Sequence, residues 1–129
     1  MRAIIFLLFF YSHSVFASNG YKCTIESAKV LENGAITENA YAKSMLNKEF
    51  TVDKGTGRTI GAILNYNEKA EPKILDDGST KGQAYKVITI FGPYTTIYYL
   101  YVSEYDKEAK KSFMFIKGSD IYSGVCVNY

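Results

Sequence analysis

Two cysteines, Cys23 and Cys126, enclose nearly all of the sequence that can form a folded domain. Three residues follow Cys126, and an apolar leader precedes Cys23. Two cysteines allow one intramolecular pairing, which would close a loop of 103 residues. In the chain-entropy model such a loop stabilises the fold by about 4–5 kcal/mol. Because a redox pair is typically C-x-x-C and a zinc site needs further ligands, we predict a structural disulfide, with an intermolecular bond as the alternative.

The first 17 residues have the three parts of an export signal. Met1 and Arg2 form a basic start, residues 3–11 are an apolar run, and Val15-Phe16-Ala17 fits a signal-peptidase site. An uncleaved anchor helix is the alternative, but the run is shorter than the ~20 residues that span a bilayer. We predict cleavage after Ala17, export to the periplasm or the extracellular medium, and no stable membrane anchor afterwards. Residues 18–129 are then expected to form a single disulfide-closed β domain.

Loss of the leader restricts the chemistry that the chain can perform. His13, its single histidine, would leave with the leader, and removal of Arg2 lowers the net charge from +2 to +1. A charge so close to zero gives no electrostatic basis for binding nucleic acid. Without histidine or a free thiol, Ser-His and Cys-His nucleophiles and most zinc hydrolases are excluded. We predict no catalytic residues, no metal site and no cofactor.

A pair of carboxylates remains available for catalysis, as in glycoside hydrolases. Glu104, at the end of a strongly apolar strand, is the one acid for which partial burial is an alternative, although acids at strand ends usually face water, as the acids near turns do. No pair of acids is indicated by spacing. A carboxylate-dependent hydrolase of cell-wall sugar is therefore kept as a less favoured alternative to a non-enzymatic protein.

Segments rich in β-branched and aromatic residues, bounded by Gly, Pro, Asp or Asn, predict about eight short strands. They cover residues 21–31, 49–53, 58–66, 73–75, 83–91, 95–105, 112–117 and 121–127. Residues 39–46, from Asn39 to Leu46, predict a short helix capped by Asn39, or irregular structure. The charged run over residues 106–111, which includes Lys111, is typical of a solvated hairpin tip. The pattern predicts an all-β, antiparallel barrel or sandwich whose first and last strands are joined by the disulfide.

Tyrosine is the most unusual feature of the mature sequence, with 11 tyrosines against four phenylalanines. The candidate binding residues cluster in one segment: Tyr94, Tyr99, Tyr101 and Tyr105. Period-two alternation places the last three on one face of a strand together with Ile97, and Tyr98, Leu100 and Val102 on the other. The cluster can form an aromatic wall for a ligand or a partner, or its rings can be core residues with hydroxyls at the rim.

The segments FTVDKGTGR (residues 50–58) and FMFIKGSDIYSGVC (residues 113–126) resemble those of small exported bacterial all-β proteins of unassigned function. The resemblance implies a fold and carries no site. Lipocalins are also small secreted barrels, but their Gly-x-Trp signature needs a tryptophan, which this chain lacks. Periplasmic inhibitors of C-type lysozyme use a Ser-Gly-x-x-Tyr loop, whereas Ser123-Gly124 here continues into Val125-Cys126-Val127. That departure removes the residues that would carry inhibition.

These features together predict an exported binding protein without enzymatic turnover. Its contact surface is expected on the tyrosine-rich strand, for an unknown protein partner, or in the mouth of the barrel, for a small apolar ligand. A small periplasmic hydrolase inhibitor, similar to the lysozyme inhibitors, is the alternative within the binding class.

Overall fold

The structure of the protein, a computed structural model, describes residues 19–79, 84–104 and 109–129. Some features of the sequence prediction lie outside these ranges: the leader with His13 and its cleavage site, the first residue of the strand predicted over 83–91, Tyr105, and residues 106–108 of the charged run. Within the three described ranges, no helix is long and apolar enough to cross a membrane.

The described residues form nine antiparallel strands and one short helix. In chain order they are β1 (Gly20–Glu32), β2 (Ala35–Thr37), α1 (Ala40–Ser44), β3 (Glu49–Asp53), β4 (Thr59–Gly61), β5 (Lys73–Asp77), β6 (Ala84–Phe91), β7 (Thr96–Ser103), β8 (Lys110–Lys117) and β9 (Asp120–Asn128). The strand order is β4-β3-β1-β9-β8-β7-β6-β5, with β2 paired with β1 outside this path. The sheet curls into a half-barrel, so the predicted all-β antiparallel class is confirmed.

Local signals account for the first hairpin and the helix. Asn33 and Gly34 have φ values of 52° and 77°, which suits the tight turn between β1 and β2. Asn39 is the N-cap of α1, since its side-chain oxygen accepts a hydrogen bond of 2.8 Å from the backbone N–H of Ala42. The predicted cap is confirmed, whereas the three-residue strand β2 was not predicted.

The strand predicted over residues 58–66 is wrong in its second half, because β4 ends at Gly61. Beyond Gly61, the side chain of Asn65 makes hydrogen bonds to the backbone of the kind that a neighbouring strand would make. Its oxygen accepts from the backbone N–H of Thr59 at 2.7 Å, and its nitrogen donates to the carbonyl of Gly57 at 2.8 Å. Asn65 and Ile63 are both buried, so this segment covers the exposed edge of β4 and satisfies its backbone groups.

The turn between β3 and β4 reaches across the half-barrel to the opposite side of the sheet. A Cβ at Gly57, which has a φ of 79°, would lie 2.9 Å from a methyl group of Val87 on β6. The hydroxyl of Tyr85 donates to the carbonyl of Lys54 at 3.1 Å. The Nζ atom of Lys54 lies 4.1 Å from the centroid of the Tyr21 ring and donates to Asn128 at 2.8 Å. These contacts close one end of the half-barrel.

The predicted disulfide between the first and last strands is present, and it lies on the inner face of the sheet. Cys23 on β1 and Cys126 on β9 are directly opposite each other and bonded, so the first and last strands are neighbours. Tyr21, Ile25 and Tyr122 are buried on the same face. The bond therefore joins two adjacent strands within the core.

Two predictions about charged residues turn out differently. Lys111 is 8% exposed within β8, so its assignment to a solvated hairpin tip is wrong. Lys111 lies two residues before Phe113 on β8, so the alternation of the strand directs both side chains inward. Its Nζ atom lies 3.2 Å from Oε2 of Glu104, whose side chain is about one-fifth exposed at 21%. Glu104 is partly buried, unlike most acids at strand ends, and it is the partner of a lysine.

Core tyrosines give the fold a predictable response to alkali. Burial raises the pKa of the Tyr85 phenol, and the charge of Asp53 makes a smaller contribution. Burial also raises the pKa of the Tyr122 phenol, and hydrogen bonding to Tyr41 is the next largest cause. Their folded pKa values lie above the unfolded value of about 10. Their stabilisation is therefore complete below about pH 10 and is lost as the pH rises beyond it.

We expect the free energy of unfolding to fall above about pH 10 by at most ~1.4 kcal/mol per pH unit for each of these two phenols. Denaturant unfolding at stepped pH, with the phenolate absorbance recorded in parallel, measures this. Replacing Tyr85 or Tyr122 by phenylalanine should make the decline shallower. Equal slopes for the wild type and both variants would contradict the prediction.

Candidate functional site

The tyrosine-rich strand β7 separates its side chains between the two faces of the sheet. Leu100 and Val102 point into the core, being 1% and 0% exposed. Tyr99 and Tyr101 alternate with them and are half-buried on the outer side, together with Ile97. The core interpretation therefore does not apply to these two tyrosines, and they are available for contact with another molecule.

The neighbouring strands extend this surface in register. Tyr99 lies between Ile88 on β6 and Ile116 on β8, and Tyr101 lies between Lys86 and Met114. We call the resulting apolar surface on β6 to β9 the outer tyrosine face; it comprises Ile88, Ile90, Ile97, Tyr99, Tyr101, Met114, Ile116 and Ile121. Sequence reasoning identified only its β7 residues, Ile97, Tyr99 and Tyr101, because cross-strand neighbours depend on the strand order.

The exposure of this face is unusual for an antiparallel sheet with a filled inner side. Ile90 and Ile97 are 55% and 43% exposed, although the outward positions of such sheets are commonly polar. Partial burial between its neighbours raises the pKa of the Tyr99 phenol. Tyr101 and Met114 line a shallow depression of about 220 Å³ with Ser112 and Phe113. Contiguous exposed apolar surface of this kind commonly marks an interaction site.

Charged residues flank the outer tyrosine face on both sides. On one side, Lys73 on β5 is opposite Ile88, and Lys86 on β6 is opposite Asp76. On the other side, Lys29 on β1 forms an ion pair of 3.0 Å with Glu38. Hydrogen bonding to Lys29 and the charge of Lys29 lower the pKa of Glu38. The face therefore has an apolar centre and a charged rim, which is the usual organisation of a protein interface.

Of the other two candidate tyrosines, Tyr94 does not join this surface. Tyr94 is 91% exposed in the turn between β6 and β7, beyond the ends of both strands. Tyr105 lies outside the described residues. The structure thus brings together Tyr99 and Tyr101 and leaves Tyr94 separate.

The mouth of the half-barrel beside β6 and β7 is occupied by the chain's own aromatic rings. The rings of Phe91 and Tyr98 lie 4.6 Å apart between centroids. Tyr98 also packs edge-on against Phe115, at 6.0 Å, and the Nζ atom of Lys117 lies over its ring. These contacts pack the two rings against the protein's own side chains.

The described acids provide few of the conditions for carboxylate catalysis. Glu26 and Glu49 line one open depression of about 410 Å³, but both are exposed to solvent. Glu49 also forms an ion pair of 3.3 Å with Lys22. Neither acid has the apolar surroundings that keep a general acid protonated. Among the described residues, no group of three or more histidine, cysteine or acidic side chains is placed to hold a metal ion.

The Ser-Gly segment that was compared with the loop of the lysozyme inhibitors is part of the sheet. Ser123 and Gly124 lie within β9 and pair with β1 on one side and β8 on the other. They are therefore not presented as a loop, which is the form that the inhibitory motif requires.

Comparisons with protein-family models, with curated proteins and with solved structures each returned no match. A functional assignment for this chain therefore depends on the geometry and chemistry of the outer tyrosine face.

Proposed function

We propose that the protein is an exported, non-enzymatic binding protein that docks a protein partner on the outer tyrosine face. The observation that carries this proposal is the position of Tyr99 and Tyr101 on the side of the sheet opposite the core, where isoleucines flank Tyr99 and Lys86 and Met114 flank Tyr101. Tyrosine combines a rigid apolar ring with a polar hydroxyl, and it is enriched among the residues that dominate binding energies.

Export is supported by two independent features. The first 17 residues have the pattern of a cleaved signal, and Cys23 and Cys126 are joined in a disulfide. Such bonds persist in oxidising compartments and are rare in the cytosol. The partner is therefore expected in the periplasm or in the extracellular medium.

The shape of the surface favours a protein over a small apolar ligand. The depression beside Tyr101 has a volume of about 220 Å³ and is shallow, whereas pockets for small ligands are typically ~300–1,000 Å³ and enclose most of the ligand. An apolar surface spread over four strands matches a partner with an apolar patch of its own. Lys73 and Lys86 at its rim favour acidic side chains around that patch.

The test compares the oxidised protein, residues 18–129, with a Tyr99→Ala, Tyr101→Ala double variant. Each protein is used to capture partners from native envelope and medium, and the dissociation constant of each recovered partner is then measured with purified components. We expect the double variant to bind about 100-fold more weakly, because two central tyrosines each contribute roughly 1–2 kcal/mol.

Tyr129→Ala is the matched control, since Tyr129 is 66% exposed and lies outside the outer tyrosine face. Equal thermal stability of all three proteins would separate loss of contact from loss of fold. A partner that binds the double variant as tightly as the wild type would contradict the proposal.

A further inference from the structure

A second feature of the outer side of the sheet is a row of short side chains that crosses the strands. Ser112 on β8, Val125 on β9 and Thr24 on β1 are directly opposite one another, and the row ends at Glu49 on β3. We call this row, with the longer side chains beside it, the cross-strand trough.

Longer side chains border the row on both sides. Tyr101 and Met114, opposite each other on β7 and β8, form one wall. Lys110, Val127 and Lys22, which are opposite one another on β8, β9 and β1, form the other. Depressions of about 220 Å³ and about 410 Å³ lie along the row. They adjoin where Ser112, which lines the first, is paired with Val125, which lines the second.

The trough is long and narrow. It extends from β7 across β8, β9 and β1 to β3, which is four interstrand spacings, or about 19 Å. That length exceeds the size of a single small molecule and suits an extended chain lying across the strands.

The trough combines apolar lining with charged side chains whose charges balance. Lys22 and Lys110 are matched by Glu26 and Glu49 along the same depression, and Lys22 is paired with Glu49. A strongly charged polymer would therefore meet as many like charges as opposite ones. Ammonium groups, carboxylates and the Thr24 hydroxyl supply hydrogen-bond donors and acceptors, and the Tyr101 ring supplies a flat apolar wall at one end.

We propose that the cross-strand trough binds a neutral saccharide chain of several sugar units. Sugar hydroxyls both donate and accept hydrogen bonds, which matches the mixed donors and acceptors along the trough. The C–H face of a sugar ring can pack on the Tyr101 ring. This site goes beyond the proposed docking of a protein: it shares Tyr101 and Met114 with the outer tyrosine face but is centred on Thr24, Ser112 and Val125.

The experiment is a titration of the isotopically labelled, oxidised protein with hexamers of N-acetylglucosamine, of β-linked glucose and of α-linked glucose, followed by NMR. We expect the amide signals of Thr24, Ser112 and Val125 to shift with at least one hexamer. Val125→Phe should fill the trough and weaken that binding about tenfold or more. Ser112→Phe, on the adjacent strand, tests the same effect if the first variant is unstable.

Thr96→Phe is the matched control, because Thr96 is exposed on β7 about 17 Å along the strand from Tyr101. It should leave saccharide binding unchanged. The proposal is overturned if no hexamer shifts these amides, if both filling variants bind as the wild type does, or if a neutral extended peptide shifts them and the saccharides do not. Tyr99→Ala should weaken protein docking and leave saccharide binding intact, so failure of one proposal is distinguishable from failure of the other.

Discussion

Replacing Cys23 and Cys126 together by alanine will lower the free energy of unfolding by about 4 kcal/mol. The bond closes a loop with a sequence separation of 103 residues, and the chain-entropy model assigns such a loop about 4–5 kcal/mol. The two residues belong to β1 and β9, which are paired in the sheet. Without the bond, β1 and β9 can pair only when the two ends of nearly the whole chain come together, which costs conformational entropy.

Denaturant unfolding of the oxidised wild type and of the double alanine variant measures the effect. The dependence of the unfolding free energy on denaturant should become steeper in the variant, because an uncrosslinked unfolded chain exposes more surface. Wild type that has been reduced while unfolded and kept reduced is the control, and it should behave as the variant does. A loss below about 1 kcal/mol, or an unchanged denaturant dependence, would show that the bond does not act through the unfolded chain.

How far the fold follows from the sequence depends on whether a signal is local. The bounds of β3 were predicted correctly because the turn residues that follow it, Lys54 to Gly57, mark its end. The end of β4 was not predicted correctly, because the β-branched residues around Ile63 suggest that the strand continues. There, the hydrogen bonds of one buried side chain, Asn65, replace a backbone ladder.

The candidate site was likewise predicted in part. Alternation along β7 correctly placed Tyr99 and Tyr101 on the face opposite Leu100. The isoleucines beside Tyr99, Ile88 and Ile116, belong to other strands, and their register is set by strand order and turn length. Local pattern therefore identifies the centre of the outer tyrosine face, and only the assembled sheet gives its extent.

Gly124→Ala is expected to destabilise the protein by more than about 4 kcal/mol. Gly124 lies on β9 opposite Ile25, where the register between β1 and β9 shifts before Ser27. A Cβ at this position would lie 2.0 Å from the carbonyl oxygen of Thr24 and 3.0 Å from the amide nitrogen of Glu26. Both contacts are with backbone atoms, so no change of side-chain rotamer relieves them, and the two strands would have to separate.

The register shift between Ile25 and Ser27, a β-bulge, also affects which side chains of β1 lie on the outer side of the sheet. Beyond it, Ala28 and Val30 point inward while Ser27 and Lys29 lie on the outer side, and a slip of one residue would exchange these faces. Gly92→Ala is the matched control, because nothing lies within 4 Å of its added Cβ. Denaturant unfolding of both variants checks the prediction. A Gly124→Ala protein as stable as Gly92→Ala would mean that β1 and β9 do not approach this closely, and that the bulge does not determine which side chains of β1 reach the outer side.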